Sequence, residues 1–316
     1  MLALTLFRSN DDMKKQLLIA MSLLLIGISG WIFYNKMSDE NTKGVQPSFK
    51  EGSNTISYGL LDADGKVMNN GSALEPKNNK LEYTLSLSNF IEVEREYALI
   101  VLSNFEQTPF TVEGKQYSVY TFNAKPNKSI EFNLSVTTNN STKEIDYLII
   151  KKPNYLIDKL DISRMHTLQE VLPMRYMVKS NGDNPKAAAG LIPDDTIKKG
   201  PNDTIFVSKQ KEELNILSAA RSGEHVFISV GNVGEKKENY NIIALNQWQQ
   251  IPLENDQLVG NVAVNPGERK VFEYKLPKVK HDSNFQVIAL PKPYEVSESD
   301  YESTVPSGSF RTVIKP

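Results

Sequence analysis

Sliding the chain against itself by 143 residues aligns Tyr83–Pro109 with Val226–Pro252 without a gap, and eight of the 27 pairs are identical. Chance would give about two at ordinary residue frequencies. The identities are Ser86/Ser229, Asn89/Asn232, Glu92/Glu235, Tyr97/Tyr240, Ile100/Ile243, Leu102/Leu245, Gln107/Gln250 and Pro109/Pro252. Hydrophobic character also matches, at Leu85/Ile228, Leu87/Val230, Leu99/Ile242 and Phe105/Trp248. After a short gap, Ala124-Lys125-Pro126-Asn127 faces Val264-Asn265-Pro266-Gly267, Phe132 faces Phe272, and KKPNY ending at Tyr155 faces PKPY ending at Tyr294. A spacing of about 140 is too long for a solenoid repeat of about 20–50 residues. It fits two copies of one whole domain, which a 316-residue chain has room for.

Within each copy the hydrophobic period is two. Leu81, Tyr83, Leu85 and Leu87 alternate with Glu82, Thr84, Ser86 and Ser88, a half-buried strand. Tyr97–Leu102 (YALIVL) is more continuously apolar; Tyr117–Phe122, Ile130–Val136 and Tyr147–Ile150 follow. Asp161–Leu172 is a short helical exception, with Ile162, Met165, Leu168 and Leu172 on one face and Ser163 as a candidate cap. Asp64-Gly65 predicts a type I′ hairpin turn. A calcium loop opening at Asp62 would need a bidentate acid at its twelfth position, which is Ala73. Short strands with turn signals every 8–15 residues predict an all-β chain of two tandem antiparallel sandwiches.

The runs SNFIEVEREYALIV…PFTV…KPNKSIEFNLSV and GNVGEKKENYNIIAL…QWQQIP…NPGERKVFEYKL resemble bacterial immunoglobulin-like modules of the CARDB type. Shared features are an Asn ending an early strand, a mid-domain aromatic and a Pro-Gly-Glu turn before an alternating strand. The second copy has that turn at Pro266–Glu268, while the first departs from it with Pro126-Asn127-Lys128. The resemblance covers about half the chain. It implies a fold and an adhesive or scaffolding style, and no activity.

Leu17–Tyr34 contains no charged residue over its 18 positions. As a helix it would cover about 27 Å, close to a hydrocarbon core of roughly 30 Å. Trp31, Phe33 and Tyr34 end it, where aromatic rings favour the interface. This predicts a transmembrane signal-anchor at 17–34 behind a cytoplasmic 1–16, with a polar linker at 35–54. The alternative is a signal peptide starting at Met13 and cleaved near Gly27-Ile28-Ser29, giving a secreted protein. Sandwiches are expected at 55–156 and 157–294, with a polar tail at 295–316, all outside the membrane. Four of the 36 basic and two of the 38 acidic residues precede residue 37, so the exported part carries a net −4 and lacks a charge affinity for anionic headgroups.

With no Cys there is no disulfide, thiolate nucleophile or Cys-bound metal. His166, His225 and His281 are dispersed, and neither HExxH, GxSxG nor a P-loop occurs, so no enzyme activity, metal or cofactor is expected, the alternative being an enzyme without a motif, whose residues converge only in three dimensions. The near-neutral charge gives no reason to expect nucleic-acid binding. Trp248, flanked by Gln247, Gln249 and Gln250, is either a packing aromatic or a sugar platform. The Gly/Pro-rich stretch from Asn181 to Asp203 is a candidate partner-contacting loop. The expected partners are the membrane, through the N-terminal helix, and another surface or membrane protein, with cell-wall glycan as the alternative.

Overall fold

The computed structural model describes residues 54–316, apart from 158, 181, 183, 184, 186, 187, 199–202, 254 and 255. The proposed anchor, the cytoplasmic terminus and nearly all of the linker lie outside the described residues. No helix among the described residues is long and apolar enough to cross a membrane.

The first half runs β1 (Ile56–Leu61), β2 (Val67–Met68), β3 (Ala73–Leu74), β4 (Lys80–Asn89), β5 (Arg95–Ser103) and β6 (Glu106–Gln107). It continues with β7 (Phe110–Val112), β8 (Lys115–Tyr117), β9 (Tyr120–Ala124), β10 (Lys128–Thr137) and β11 (Glu144–Lys151). Helix α1 (Ile162–Gln169) then leads into β12 (Leu172–Val178). The second half runs β13 (Asp195–Ile197), β14 (Ile205–Ser208), β15 (Ala219–Arg221), β16 (His225–Gly231), β17 (Glu238–Asn246) and β18 (Gln249–Ile251). It ends with β19 (Gly260–Val264), β20 (Arg269–Lys275), β21 (Ser283–Pro291), β22 (Ser307–Gly308) and β23 (Thr312–Lys315).

Each half is a sandwich of two sheets. In the first, β2-β1-β4-β10-β7-β8 faces β3-β12-β11-β5-β6, with β9 on β5. In the second, β13-β20-β16-β14 faces β15-β23-β21-β17-β18, with β19 on β17 and β22 on β21. The pairing is antiparallel except where β3 meets β12 and β15 meets β23. This strand order, with an early strand paired parallel to the last, is immunoglobulin-like.

Alternation decides the sheet faces. In β4, Leu81, Leu85 and Leu87 face the first core, while Thr84, Ser86 and Ser88 bond across the wet face to Asn133, Glu131 and Ser129. The repeated Asn, the last residue of β4 and the first after β16, is a buried latch. Asn89 Nδ2 donates to the carbonyls of Val93, Ala124 and Lys125, and Asn232 Nδ2 donates to those of Lys236 and Val264. Each ties the following loop to the end of β9 or β19.

Four sequence expectations need correction. The first sandwich does not stop at 156, because β12 pairs with β11 and carries the sheet to Val178. Residues 295–316 are not a polar tail: Phe310, Arg311, Thr312, Val313 and Ile314 are buried, and β23 closes the second sandwich against β21. This strand is only four residues long and buried at its first three, so it shows no period-two pattern. At Asp64-Gly65 only Gly65 has positive φ, and Asp62 Oδ1 holds the loop by accepting from the amides of Asp64 and Lys66. Helix α1 is capped by Asp161, whose side chain accepts from the Arg164 amide, so Ser163 lies inside the helix.

Candidate functional site

The most chemically elaborate region of the described molecule is the seam between the sandwiches. Strands β5 and β17 are apolar on both faces because each face has a core to fill. Tyr97, Leu99 and Val101 point into the first sandwich, while Ala98, Ile100 and Leu102 join Ile243, Leu245, Ile288 and Leu290 in a third cluster between the halves. At about 1.5–3 kcal/mol for each fully buried large aliphatic side chain, this seam weighs like a domain core.

Two matching hairpin turns supply its centre. The loops Asn104-Phe105 and Gln247-Trp248 place both of their residues at positive φ, +49° and +71° in one and +48° and +65° in the other. That is the geometry of a two-residue type I′ turn, usually filled by Asn-Gly. A bulky residue there is sterically costly; the return is that Phe105 and Trp248 are delivered into the seam. Side chains hold both turns: Asn104 Oδ1 accepts from the Glu144 amide, and Gln247 Oε1 accepts from the Asn284 amide.

Gln107 and Gln250, identical across the repeat, clasp each other. The Gln107 amide donates to Gln250 Oε1 and the Gln250 amide to Gln107 Oε1, both at 2.6 Å. Their side-chain Nε2 groups donate to the carbonyls of Trp248 and Phe105, each at 3.0 Å. The two halves therefore meet about a local pseudo-twofold.

Two buried arginines complete the seam. Arg175 opposes Asp146 across β12 and β11, and Arg311, just before Thr312 opposite Phe285, sits beside Gln286. Leu102 pairs with Asp146 and its repeat mate Leu245 with Gln286, so the two arginines occupy equivalent positions. Each reaches the other sandwich. Arg175 Nη1 donates to Pro291 O (2.8 Å) and Thr304 O (2.5 Å), and Arg311 donates to Lys151 O (2.7 Å) and Lys152 O (3.1 Å).

Their surroundings differ. Arg175 binds Glu144 (2.5 Å) and Asp146 (3.0 Å), and Glu144 Oε2 also accepts from the Tyr294 amide (2.7 Å). Arg311 has no carboxylate partner among the described residues; its guanidinium lies 4.6 Å from the Trp248 ring centroid. Burial, reinforced by Glu144, holds the Asp146 carboxyl well above the usual range despite Arg175. Burial also pulls Arg311 down to about 9. Against the cost of burial, Glu144 and Asp146 hold Arg175 up. Burial and the same two carboxylates push Tyr294 up to about 12.

Trp248 is 3% exposed, with its Nε1 donating to Pro153 O (2.9 Å), so it packs the seam and is no surface for a sugar. Of its neighbouring glutamines, Gln250 forms the interdomain clasp and Gln247 braces its own turn through the Asn284 amide. Asn181 lies outside the described residues, and Asp203 is half-buried in a bend just before β14. Residues 189–197 of this stretch are seated on the second sandwich: Leu191 N–H donates to Asn261 O (2.9 Å), Asn261 N–H to Ala189 O (3.0 Å), and β13 joins β20. Sequence reasoning missed Arg175, Arg311 and Glu144, which outside the repeat alignment look like surface charges. The Gln107/Gln250 identity was the available signal. The dispersed histidines stay apart, and no cluster of metal-ligating side chains occurs among the described residues.

No protein-family model matches the chain, and no curated protein does. Among solved structures, the chain is similar to the PapD-like domain 7 of human CEP192, at 13% identity over 46% of this chain and 98% of that one, with a TM-score of 0.25. It is also similar to the E. coli chaperone DraB, at 14% identity over 82% and 95% of the two chains, with a TM-score of 0.24. A third similarity is to the C-terminal domain of the Streptococcus agalactiae AgI/II polypeptide BspA, at 10% identity over 83% and 100%, with a TM-score of 0.25. At these TM-scores the overlaps say nothing about activity. The strand order and register already described are what make each half an immunoglobulin-like β-sandwich.

Proposed function

We propose that this chain is a membrane-anchored, extracytoplasmic binding or scaffold protein, serving adhesion or acting as an accessory subunit of a surface complex. In the finer family sense, its two sandwiches are CARDB-type modules. Leu17–Tyr34 is the anchor, with the N-terminus inside, and the polar stretch after it is the spacer that lifts the body off the bilayer. The observation that supports this best is the seam. Two sandwiches locked by an apolar core, a glutamine clasp and two reciprocal arginines form one unit with a fixed spacing between its outer loops, which suits presentation to another macromolecule. The glutamine clasp and both arginines of the seam's polar centre donate hydrogen bonds that join the halves, which supports a structural over a catalytic role for it.

The test uses wall-stripped cells expressing the full chain. External protease should remove the sandwiches and leave a short protected N-terminal stub, and crosslinking on intact cells should return a surface or membrane protein. Full protection would overturn the orientation. A secreted product beginning near Gly30 would replace the anchor with a cleaved signal peptide.

A further inference from the structure

The two sandwiches fill one position in different ways. In the first, the outer neighbour of β10 is β7, part of the hairpin that follows β6 in normal chain order. Among the described residues of the second sandwich that hairpin is absent, and from Gln250 to Val264 the chain is three residues shorter than from Gln107 to Ala124. In this shortened stretch Leu253 N–H donates to Gln257 O (2.8 Å). The vacated edge of β20 is taken by β13, which precedes every other strand of its sandwich. The position is filled out of order by a strap, Ala189–Ile197.

The strap is held to its site mainly through its backbone. Its bonds run to the backbone of Asn261 on one sheet and of Val271 on the other, so it laces the open side of the sandwich. Only Leu191 reaches the core, where it packs as a plug. A Cβ at Gly260 would lie 2.4 Å from Leu191 side-chain carbons, so the glycine is what admits the plug. The next residue, Ile192, is 84% exposed. The socket is larger than its plug: a cavity of about 20 Å³ remains beside Leu191, lined by Ile228, Ile242, Leu253, Phe272 and Tyr274. Downstream the site reads acidity. Asp194 Oδ2 accepts from the Glu273 amide (2.6 Å), and Asp195 pairs with Lys211 at 3.3 Å.

We infer that the β20 edge of the second sandwich is a strand-acceptor site for an extended segment of a partner polypeptide, and that Ala189–Ile197 is a self-supplied occupant that the partner displaces. The partner segment carries an apolar anchor larger than leucine for the Leu191 socket and an acidic residue three or four positions later. Backbone pairing gives such strand addition its affinity, and the side-chain socket gives it selectivity. This deepens the binding reading above and rests on it. It is independent of the membrane topology, so its failure would leave the protease and crosslinking results standing.

The test uses the full chain in detergent and fluorescein-labelled peptides of Ala188–Lys198 sequence. A tethered strap competes at an effective concentration in the millimolar range, so wild-type chain should bind these peptides weakly. A Leu191→Asp chain, its own plug disabled, should bind the Leu peptide at least tenfold more tightly, and a Leu191→Phe peptide more tightly again. A Leu191→Asp peptide should not bind. The chain has no native Cys, and Thr196 and Lys270 are register partners. A disulfide between Thr196→Cys and Lys270→Cys should therefore abolish binding when oxidised, and reduction should restore it. Failure of both peptides to bind a Leu191→Asp chain whose circular dichroism and unfolding match wild type would overturn the proposal. Interchain disulfides between separately purified Thr196→Cys and Lys270→Cys chains would also overturn it, by assigning the edge to a second copy.

Discussion

The two halves present the same backbone to each other with different chemistry. At equivalent positions the first half has Glu144, Asp146 and Arg175, and the second has Asn284, Gln286 and Arg311. Both arginines reach across to backbone carbonyls, Arg175 to Pro291 and Arg311 to Lys151. Only Arg175 is anchored by carboxylates; Arg311 leans on the face of Trp248. The geometry of the joint therefore belongs to the repeat, while the electrostatics belong to each copy. A pseudo-twofold seam can hold with a buried ion cluster on one side and amides on the other, because in both cases the guanidinium also donates to backbone carbonyls of the opposite sandwich.

Breaking the shared element should cost most. Trp248→Ala removes a buried ring from the third core and should destabilise by about 3–5 kcal/mol, read as a lower denaturation midpoint in guanidinium. The arginines should then separate the two sides. Arg175→Met strands two buried carboxylates and should cost about 3–5 kcal/mol. Arg311→Met leaves only carbonyls unpaired and should cost about 1–3 kcal/mol. Equal losses for the two would sink the distinction drawn here.

The glutamine clasp comes next. Gln107→Ala and Gln250→Ala should each cost about 1–3 kcal/mol by leaving a buried amide unpaired. The double variant should lose the sum of the two to within about 0.5 kcal/mol, since each side chain bonds the other residue's backbone amide, which the other Ala substitution leaves in place. A loss clearly different from the sum would mean the two bonds are coupled through the seam.

The smallest effect is a slope. Asp146 holds its proton more tightly in the folded chain than an unfolded aspartate would. Its favourable contribution is therefore complete below the ordinary carboxyl value of about 3.9 and is lost as pH rises through the higher native value. The melting temperature of Asp146→Asn should vary less with rising pH than that of wild type. At the matching position on the other side, Gln286→Ala should leave the slope unchanged.

Much of the fold was legible because sandwiches advertise themselves through alternation. The period-two pattern of Leu81–Leu87 marked β4, and the 143-residue identity of Asn89, Tyr97 and Gln107 with Asn232, Tyr240 and Gln250 marked two copies. Strand β12 and the last strand were not legible. Each is bound into its sandwich by pairing with a partner about thirty residues upstream, and no local pattern in LPMRYMV or TVIK records that pairing. Trp248 was ambiguous for a related reason: an aromatic beside three glutamines looks the same in a sugar site and in a domain joint.

The sequence by itself determined an all-β chain, its duplication, and the apolar N-terminal run, since all three are local periodicities or self-similarity. It also contained, unexplained, the continuous apolar strands YALIVL and NIIAL. Only the tertiary structure decided what their second faces are for. A residue three places from a loop and buried on both sides of its sheet has no sequence signature of which body covers it. Arg175 and Arg311 became structural only when the two halves met, because the carbonyls of Pro291 and Lys151 that hold them lie more than a hundred residues away along the chain. The same limit applies to the strap. Leu191 is one leucine in a Gly/Pro-rich stretch until Gly260 opens the space that receives it.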